Sequence, residues 1–219
     1  MAYFVVGSYG LYDGAYLKIL DAPNGSEFDG IEYEEDPANL DLTQTEKFNL
    51  KNGWSAMGGG FRVKEDHIPK KIKWVDRSLK RSIPDVVQFG YLAISERFKD
   101  FIEKFEPGVH QFFPVEMYRN KKEPPVATYY WINVCNRVFG VHREKTTYKR
   151  TGNPNGHGTW LPTDDPDSKL VFNSDIIKPY TLWAEPHVMN PSFYCSEAFG
   201  LAAMEGEFKG LGLSPREEG

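Results

Sequence analysis

The chain has 219 residues, of which 40% are apolar, 15% aromatic and 26% charged, so it is long enough to bury a substantial core and too aromatic for intrinsic disorder. Twenty-six Lys and Arg against 31 Asp and Glu leave a net charge of −5, the wrong sign for a broad phosphate-binding surface, and no nucleic-acid partner is expected. No apolar run approaches the roughly 18 residues of a membrane span, and residues 1–9 lack the basic start of a secretory signal, so no membrane partner and a cytoplasmic location are expected.

Tyr3-Phe4-Val5-Val6, closed by Gly7 and Gly10, reads as a short strand, with a second over residues 12–20. Charge then becomes the dominant signal. Residues 1–60 carry ten acids and three bases, for −7, whereas residues 61–219 carry 21 acids and 23 bases, for +2. Eight carboxylates (Glu27, Asp29, Glu32, Glu34, Glu35, Asp36, Asp41 and Glu46) follow one another without a Lys or Arg between them. The next charged block, residues 62–81, holds eight bases against Glu65, Asp66 and Asp76. Such blocks can neutralise each other within one fold, keep the surface solvated, or dock a basic partner. Metal binding is disfavoured, because the carboxylates follow no calcium-loop pattern.

Gly53, Gly58, Gly59 and Gly60 mimic a phosphate cradle, yet the Lys-Ser or Lys-Thr of a P-loop is absent, and a glycine-rich turn is expected. Tyr91-Leu92-Ala93-Ile94 reads as a strand. The clearest helix follows, with Ser95 as its N-cap, Phe98, Phe101, Ile102 and Phe105 on one stripe, and Pro107-Gly108 as its stop. Residues 111–118 alternate with period two, and after a charged turn residues 126–139 are apolar on both faces, which predicts a hairpin whose second strand is central. A shift of 101 residues superposes Ser95 on Ser196, Glu96 on Glu197 and Phe98 on Phe199, with six identities in 25 positions from Leu92 to Glu116, so a second strand-helix-strand unit is expected near the end. Between the two units, residues 151–168 read as a polar surface loop in which Asp164, Asp165 and Asp167 need no catalytic role.

The fold class expected is therefore α+β, with a mixed or antiparallel sheet and a few short helices. Residues 1–83 are expected to form an acidic, β-rich region ahead of an α+β domain over residues 84–219, the two packing as separate bodies or as one. No zinc-protease, nucleophile-elbow or dithiol motif is present, and the five histidines are too scattered for a ligand set. Cys135 and Cys195 lie among apolar residues and read as small buried hydrophobes. No catalytic residue, cofactor or metal is expected. An enzyme would instead need a pocket drawing on groups such as His110, His142 or His157.

Three short blocks carry a resemblance. They are Ile94-Ser95-Glu96-Arg97-Phe98, the run from Gly108 to Glu116 (Gly-Val-His-Gln-Phe-Phe-Pro-Val-Glu), and Tyr129-Tyr130-Trp131-Ile132-Asn133-Val134-Cys135. With Leu182-Trp183 and the terminal Ser196-Glu197 helix followed by Lys209-Gly210-Leu211, the region from Pro84 to Pro215 resembles the bacterial immunity-protein family of polymorphic toxin systems (Imm11, formerly a domain of unknown function). That resemblance implies a non-enzymatic protein that binds and neutralises a cognate toxin. Were the toxin a nuclease with a basic groove, Glu27, Asp29, Glu32, Glu34, Glu35 and Asp36 would be the partner-binding candidates, acting as a charge mimic.

Overall fold

The computed structural model describes residues 1–7, 15–22, 28–76, 82–151, 159–188 and 193–219. Glu27 and His157 therefore lie outside the described residues. In chain order the elements are β1 (Ala2–Gly7), β2 (Ala15–Ile19), α1 (Gln44–Lys51), β3 (Lys71–Asp76), β4 (Val86–Phe89), β5 (Tyr91–Ser95), α2 (Glu96–Phe105), β6 (Gln111–Tyr118) and β7 (Ala127–Asn133). They continue with β8 (Lys149–Thr151), β9 (Thr159–Leu161), β10 (Val171–Phe172), α3 (Ser174–Ile177), β11 (Leu182–Ala184), β12 (Phe193–Cys195), α4 (Glu197–Glu205) and β13 (Leu211–Glu218). Mixed sheets with short helices make the protein α+β.

Two sheets dominate, with strand orders β2-β3-β6-β7-β5-β4 and β10-β13-β1-β12-β11. Leaving β2 aside, they are the same arrangement. β3 runs parallel to β6 as β10 does to β13, and every other pairing is antiparallel in both. The registers agree at an offset of 101: Phe113 faces Trp131 as Ser214 faces Phe4, and Ile94 faces Tyr130 as Cys195 faces Tyr3. The expected repeat is thus a whole five-stranded unit. Its central strand is the downstream β7 in one copy and the N-terminal β1 in the other.

The two helices show how local sequence makes each copy. Ser95 and Ser196 both hold the extended N-cap conformation, and their hydroxyls accept from the Phe98 N–H (3.3 Å) and the Phe199 N–H (3.4 Å), satisfying a first-turn donor that would otherwise be orphaned. α2 buries Phe98 and Ile102 and rests Phe105 on Phe199 at 5.1 Å, so the two helices meet through the aromatic stripe. α4 presses closer to its sheet, because a Cβ on Gly200 would stand 2.6 Å from the Tyr3 ring. Only a residue without a side chain fits there.

Three apolar clusters fill the layers. One lies between the six-stranded sheet and residues 28–68, with Ile31, Met57, Ile72, Trp74 and Trp131 at its centre. A second joins the two sheets through α2 and α4, and a third covers the far face of the five-stranded sheet with Phe172, Trp183 and Tyr194. One expectation about a strand end changes. The strand expected over residues 126–139 stops at Asn133, since its neighbour β6 begins at Gln111 and offers no further backbone to pair with. The strand expected over residues 12–20 is seen as β2 over its described part.

Candidate partner-binding surface

The acidic run is organised by one backbone bridge. Tyr33 pairs with Val63, with Lys64 N–H donating to the Glu32 carbonyl at 2.8 Å and Glu34 N–H donating to the Arg62 carbonyl at 3.1 Å. Period-two alternation then turns Tyr33 and Val63 into the core and the flanking charges outward. Glu32 meets Lys64 at 2.8 Å and Glu34 meets Arg62 at 3.2 Å, so the acidic and basic blocks do neutralise each other in part. The hydrogen bond and charge of Lys64 hold the Glu32 carboxyl below its ordinary range. Glu34 also accepts from the Gln111 side chain at 2.9 Å.

The remaining candidates differ. Asp36 accepts the Ala38 N–H at 2.9 Å and so starts the short turn Pro37–Asn39. Glu35 is exposed and has no charged partner among the described residues. Asp29 is half-buried in the turn before Gly30. Thr43 then opens α1 with a capping box, its hydroxyl accepting from Glu46 N–H while the Glu46 carboxylate accepts from Thr43 N–H at 2.7 Å. Glu46 is not a docking charge at all. Arg137 grips its two oxygens at 2.6 and 2.8 Å, and the pair is almost wholly covered. The glycine-rich turn exists to let this happen: Gly60 has a φ of +85°, and a Cβ there would stand 2.6 Å from Arg137 Cβ.

Together these segments enclose an open trench of about 550 Å³. Its rim carries Glu32, Glu34, Glu35 and Asp36 with Lys51 and Lys64, and its apolar wall includes Leu50 and Trp54. Beside it Phe48 and Trp54 meet edge-on at 5.5 Å, and both are exposed.

A second cleft, of about 340 Å³, lies between residues 33–59 and the segment that contributes Thr159, Leu161 and Glu185. Its acids are already engaged. Burial pushes the Glu185 carboxyl up to about 7, against the backbone N–H groups of His187, Gly140 and Val141 that donate to it. Glu46 is held by Arg137. His110 is fully covered: Cys135 N–H donates to its Nδ1 at 3.2 Å, which leaves the proton on Nε2 for Glu106 at 2.7 Å. Burial raises the Cys135 thiol to about 11 and the Cys195 thiol to about 12, so neither is an activated nucleophile. Among the described residues no cluster of three His, Cys, Asp or Glu is placed to hold a metal ion, and no helix is long and apolar enough to cross a membrane.

The model of the Imm11 immunity protein family matches residues 26–217 of this chain. The chain belongs to that family. A search of the curated proteins finds no match. The Imm11 match begins ahead of the blocks legible in the sequence and takes in the whole of the described acidic run.

Within this Imm11 chain the blocks that carry the resemblance are structural. Asn133 donates to the Phe61 carbonyl at 2.8 Å and to the Gln111 side chain at 2.9 Å, while its own oxygen accepts from Gly58 N–H at 3.1 Å. Gln111 in turn spans the Val63 N–H and carbonyl at 2.8 and 3.0 Å. Trp131 donates to the Pro69 carbonyl and Tyr129 to the Pro84 carbonyl. Asn133 and Gln111 thus hold residues 58–63 on the sheet, Trp131 and Tyr129 fix the chain at Pro69 and Pro84, and the trench is left on the outside. Sequence reasoning missed Phe48 and Trp54 as surface residues. It also missed α1, although Thr43-Gln44-Thr45-Glu46 spells a capping box.

Proposed function

We propose that this protein binds a cognate antibacterial toxin in the cytoplasm of the cell that carries it and neutralises it by non-covalent complex formation, without catalysis. Membership of the immunity protein family is the observation that carries the reading. The acidic residues Glu27, Asp29, Glu32, Glu34, Glu35 and Asp36, of which Glu27 lies outside the described residues, are the proposed docking charges for a basic toxin surface such as a nuclease groove. The outward aim of Glu32 and Glu34 from the Tyr33–Val63 bridge and the exposure of Glu35 and Asp36 support it. Lys64 and Arg62 offset part of that charge, which leaves Glu35 and Asp36 as its most available members.

The test is co-expression with the toxin domain encoded beside the gene. Protection of the host is expected, and growth arrest despite soluble expression would overturn the immunity reading. Reversing Glu32, Glu34, Glu35 and Asp36 to Lys is expected to slow association and flatten its salt dependence, and unchanged affinity and salt slope would overturn the charge-docking part. The alternative, a small-molecule-binding protein or enzyme, draws on the 340 Å³ cleft. The carboxylates in its wall are committed to Arg137 and to backbone donors, which favours the first reading.

A further inference from the structure

We infer that the trench behind the acidic edge is a receptor for an arginine side chain presented by the protein partner, with Trp54 as the stacking face and Phe48 as its brace. This rests on the reading of the chain as a toxin-binding protein and says how the partner is gripped.

Four of the five tryptophans are buried, and Trp54, 49% exposed, is the fifth. Phe48 is 55% exposed, more than any other large apolar side chain described. Among the described residues, neither belongs to an apolar cluster of the fold or packs against one. The fold gains little from them, whereas Trp is among the side chains enriched at the energetic centre of protein interfaces.

The platform is held in place before any partner arrives. Trp54 N–H donates to the Asn49 carbonyl at 2.9 Å and Gly53 N–H to Leu50 at 3.0 Å, closing the end of α1. Gly30 N–H reaches the Gly53 carbonyl at 2.8 Å and Ala56 N–H reaches Ile31 at 3.0 Å, so both walls of the trench are tied together. The Asn52 side chain donates to the Phe48 carbonyl at 2.7 Å, and the Glu46–Arg137 pair anchors the start of the helix. Preorganisation of this kind lowers the ordering cost of binding.

The chemistry of the trench selects the occupant. Two of the four rim carboxylates, Glu32 and Glu34, are paired with Lys64 and Arg62, so the apolar wall lies under a rim on which Glu35 and Asp36 face a guest, which suits a cation with a flat, weakly hydrated head and an aliphatic stem. Guanidinium stacks on indole and meets a carboxylate with two parallel hydrogen bonds, which a strongly hydrated ammonium cannot do. Glu35, without a charged partner among the described residues, and Asp36 stand on that rim and disfavour a nucleic-acid or anionic lipid surface.

The test uses the full chain and two probes. With the catalytically inactivated toxin domain encoded beside the gene, Trp54→Ala and Phe48→Ala are each expected to weaken binding about 30-fold or more, through faster dissociation. Trp54→Phe is expected to recover part of the loss, and near-UV circular dichroism confirms that each variant is folded. If the wild-type chain binds and protects while Trp54→Ala and Phe48→Ala bind equally well, the receptor is refuted and the immunity reading stands. The second probe needs no toxin. Titration of the ¹⁵N-labelled chain with Nα-acetyl-arginine methylamide should move the Trp54 indole N–H resonance more than the lysine analogue does, and the norleucine analogue should leave it in place. A Trp54 resonance that ignores arginine, or that follows all three alike, overturns the proposal. An arginine-selective shift in a chain that gives no protection supports the receptor and removes the immunity reading. Occupation of the trench by a second copy, read as dimerisation abolished by Trp54→Ala, would also overturn it.

Discussion

Arg137→Met should release residues 28–68 from the sheet. Arg137 Nη1 and Nη2 donate to Glu46 at 2.6 and 2.8 Å, Nη2 also donates to the Asp41 carbonyl at 2.7 Å, and Nη1 to the Gly59 carbonyl. Its guanidinium lies 4.4 Å from the centre of the Phe61 ring and 5.0 Å from that of Phe139. The two side chains of the ion pair are 8% and 12% exposed, so water can do little to replace the lost partner. Methionine fills the aliphatic volume but strips the Glu46 carboxylate of its cation and removes the donations that Arg137 makes to the Asp41 and Gly59 carbonyls. Removing one side of a covered pair costs about 3–5 kcal/mol, and in a chain of this size each kcal/mol is worth about 2–4 °C, so the melting temperature should fall by about 6–20 °C. Urea unfolding followed by tryptophan fluorescence gives the free energy, and hydrogen exchange should show the amides of residues 28–68 opening first. Glu46→Gln removes the stranded charge. The double variant should therefore be more stable than the sum of the two single losses predicts, by about 2 kcal/mol. A loss below about 1 kcal/mol for Arg137→Met, or strict additivity in the cycle, would refute the assignment of this pair as the clasp.

Asn133→Ala should cost about 2–3 kcal/mol in the same urea experiment, because the Gly58 N–H and the Phe61 carbonyl lose their partner inside the protein. Gly200→Ala should destabilise by about 1–3 kcal/mol despite its better helix propensity, since the new methyl meets the Tyr3 ring; a stabilised variant in thermal melts would disprove that close approach. Ser95→Ala and Ser196→Ala should each cost about 1 kcal/mol, with the larger loss at Ser95, whose hydroxyl also donates to Asp85 at 2.8 Å. Glu185 gives a pH signature. Its carboxyl is raised to about 7 in the folded state by burial, so the folded chain binds the extra proton. Its stabilising contribution is complete below the unfolded value near 4.5 and is lost as pH rises through about 7. Comparing urea midpoints of the wild type and Glu185→Gln at pH 5 and pH 8 should show a steeper decline in the wild type, and equal declines would contradict it. Glu106 works in the opposite sense. Burial pushes its carboxyl up, but His110 and the Thr181 and Leu182 N–H groups outweigh that and hold it low, so its contribution is present above the ordinary carboxylate range and disappears on acidification.

The legible features were those written in adjacent residues. Ser95 and Ser196 announce the two helices because a capping hydroxyl acts over three residues, and the alternation Phe113, Val115, Met117 announces β6 because one face of a strand is read directly from period two. β3 is written there too, with Ile72, Trp74 and Asp76 facing inward at alternate positions, but the lysines between them make charge the stronger local signal. The acidic run shows the limit from the other side. A count of carboxylates cannot tell that Glu46 is inside an ion pair with a residue 91 positions away, that Glu32 and Glu34 face their own bases, or that Glu35 faces none among the described residues. Trp54 was illegible for the same reason, since tryptophan is usually at least partly buried and only the packed fold reveals which one is left outside.

By itself the sequence determined the fold class, the two capped helices, the sign and position of the charge, and the family. All of these rest on residue type and short-range spacing. Tertiary structure alone decided that β1 completes the second sheet in the place β7 takes in the first, that Gln111, Asn133 and Arg137 clasp the acidic segment to the sheet, and that the trench beside Trp54 exists. Those features are made by pairings between distant parts of the chain, and their free energy appears only once the intervening loops have closed.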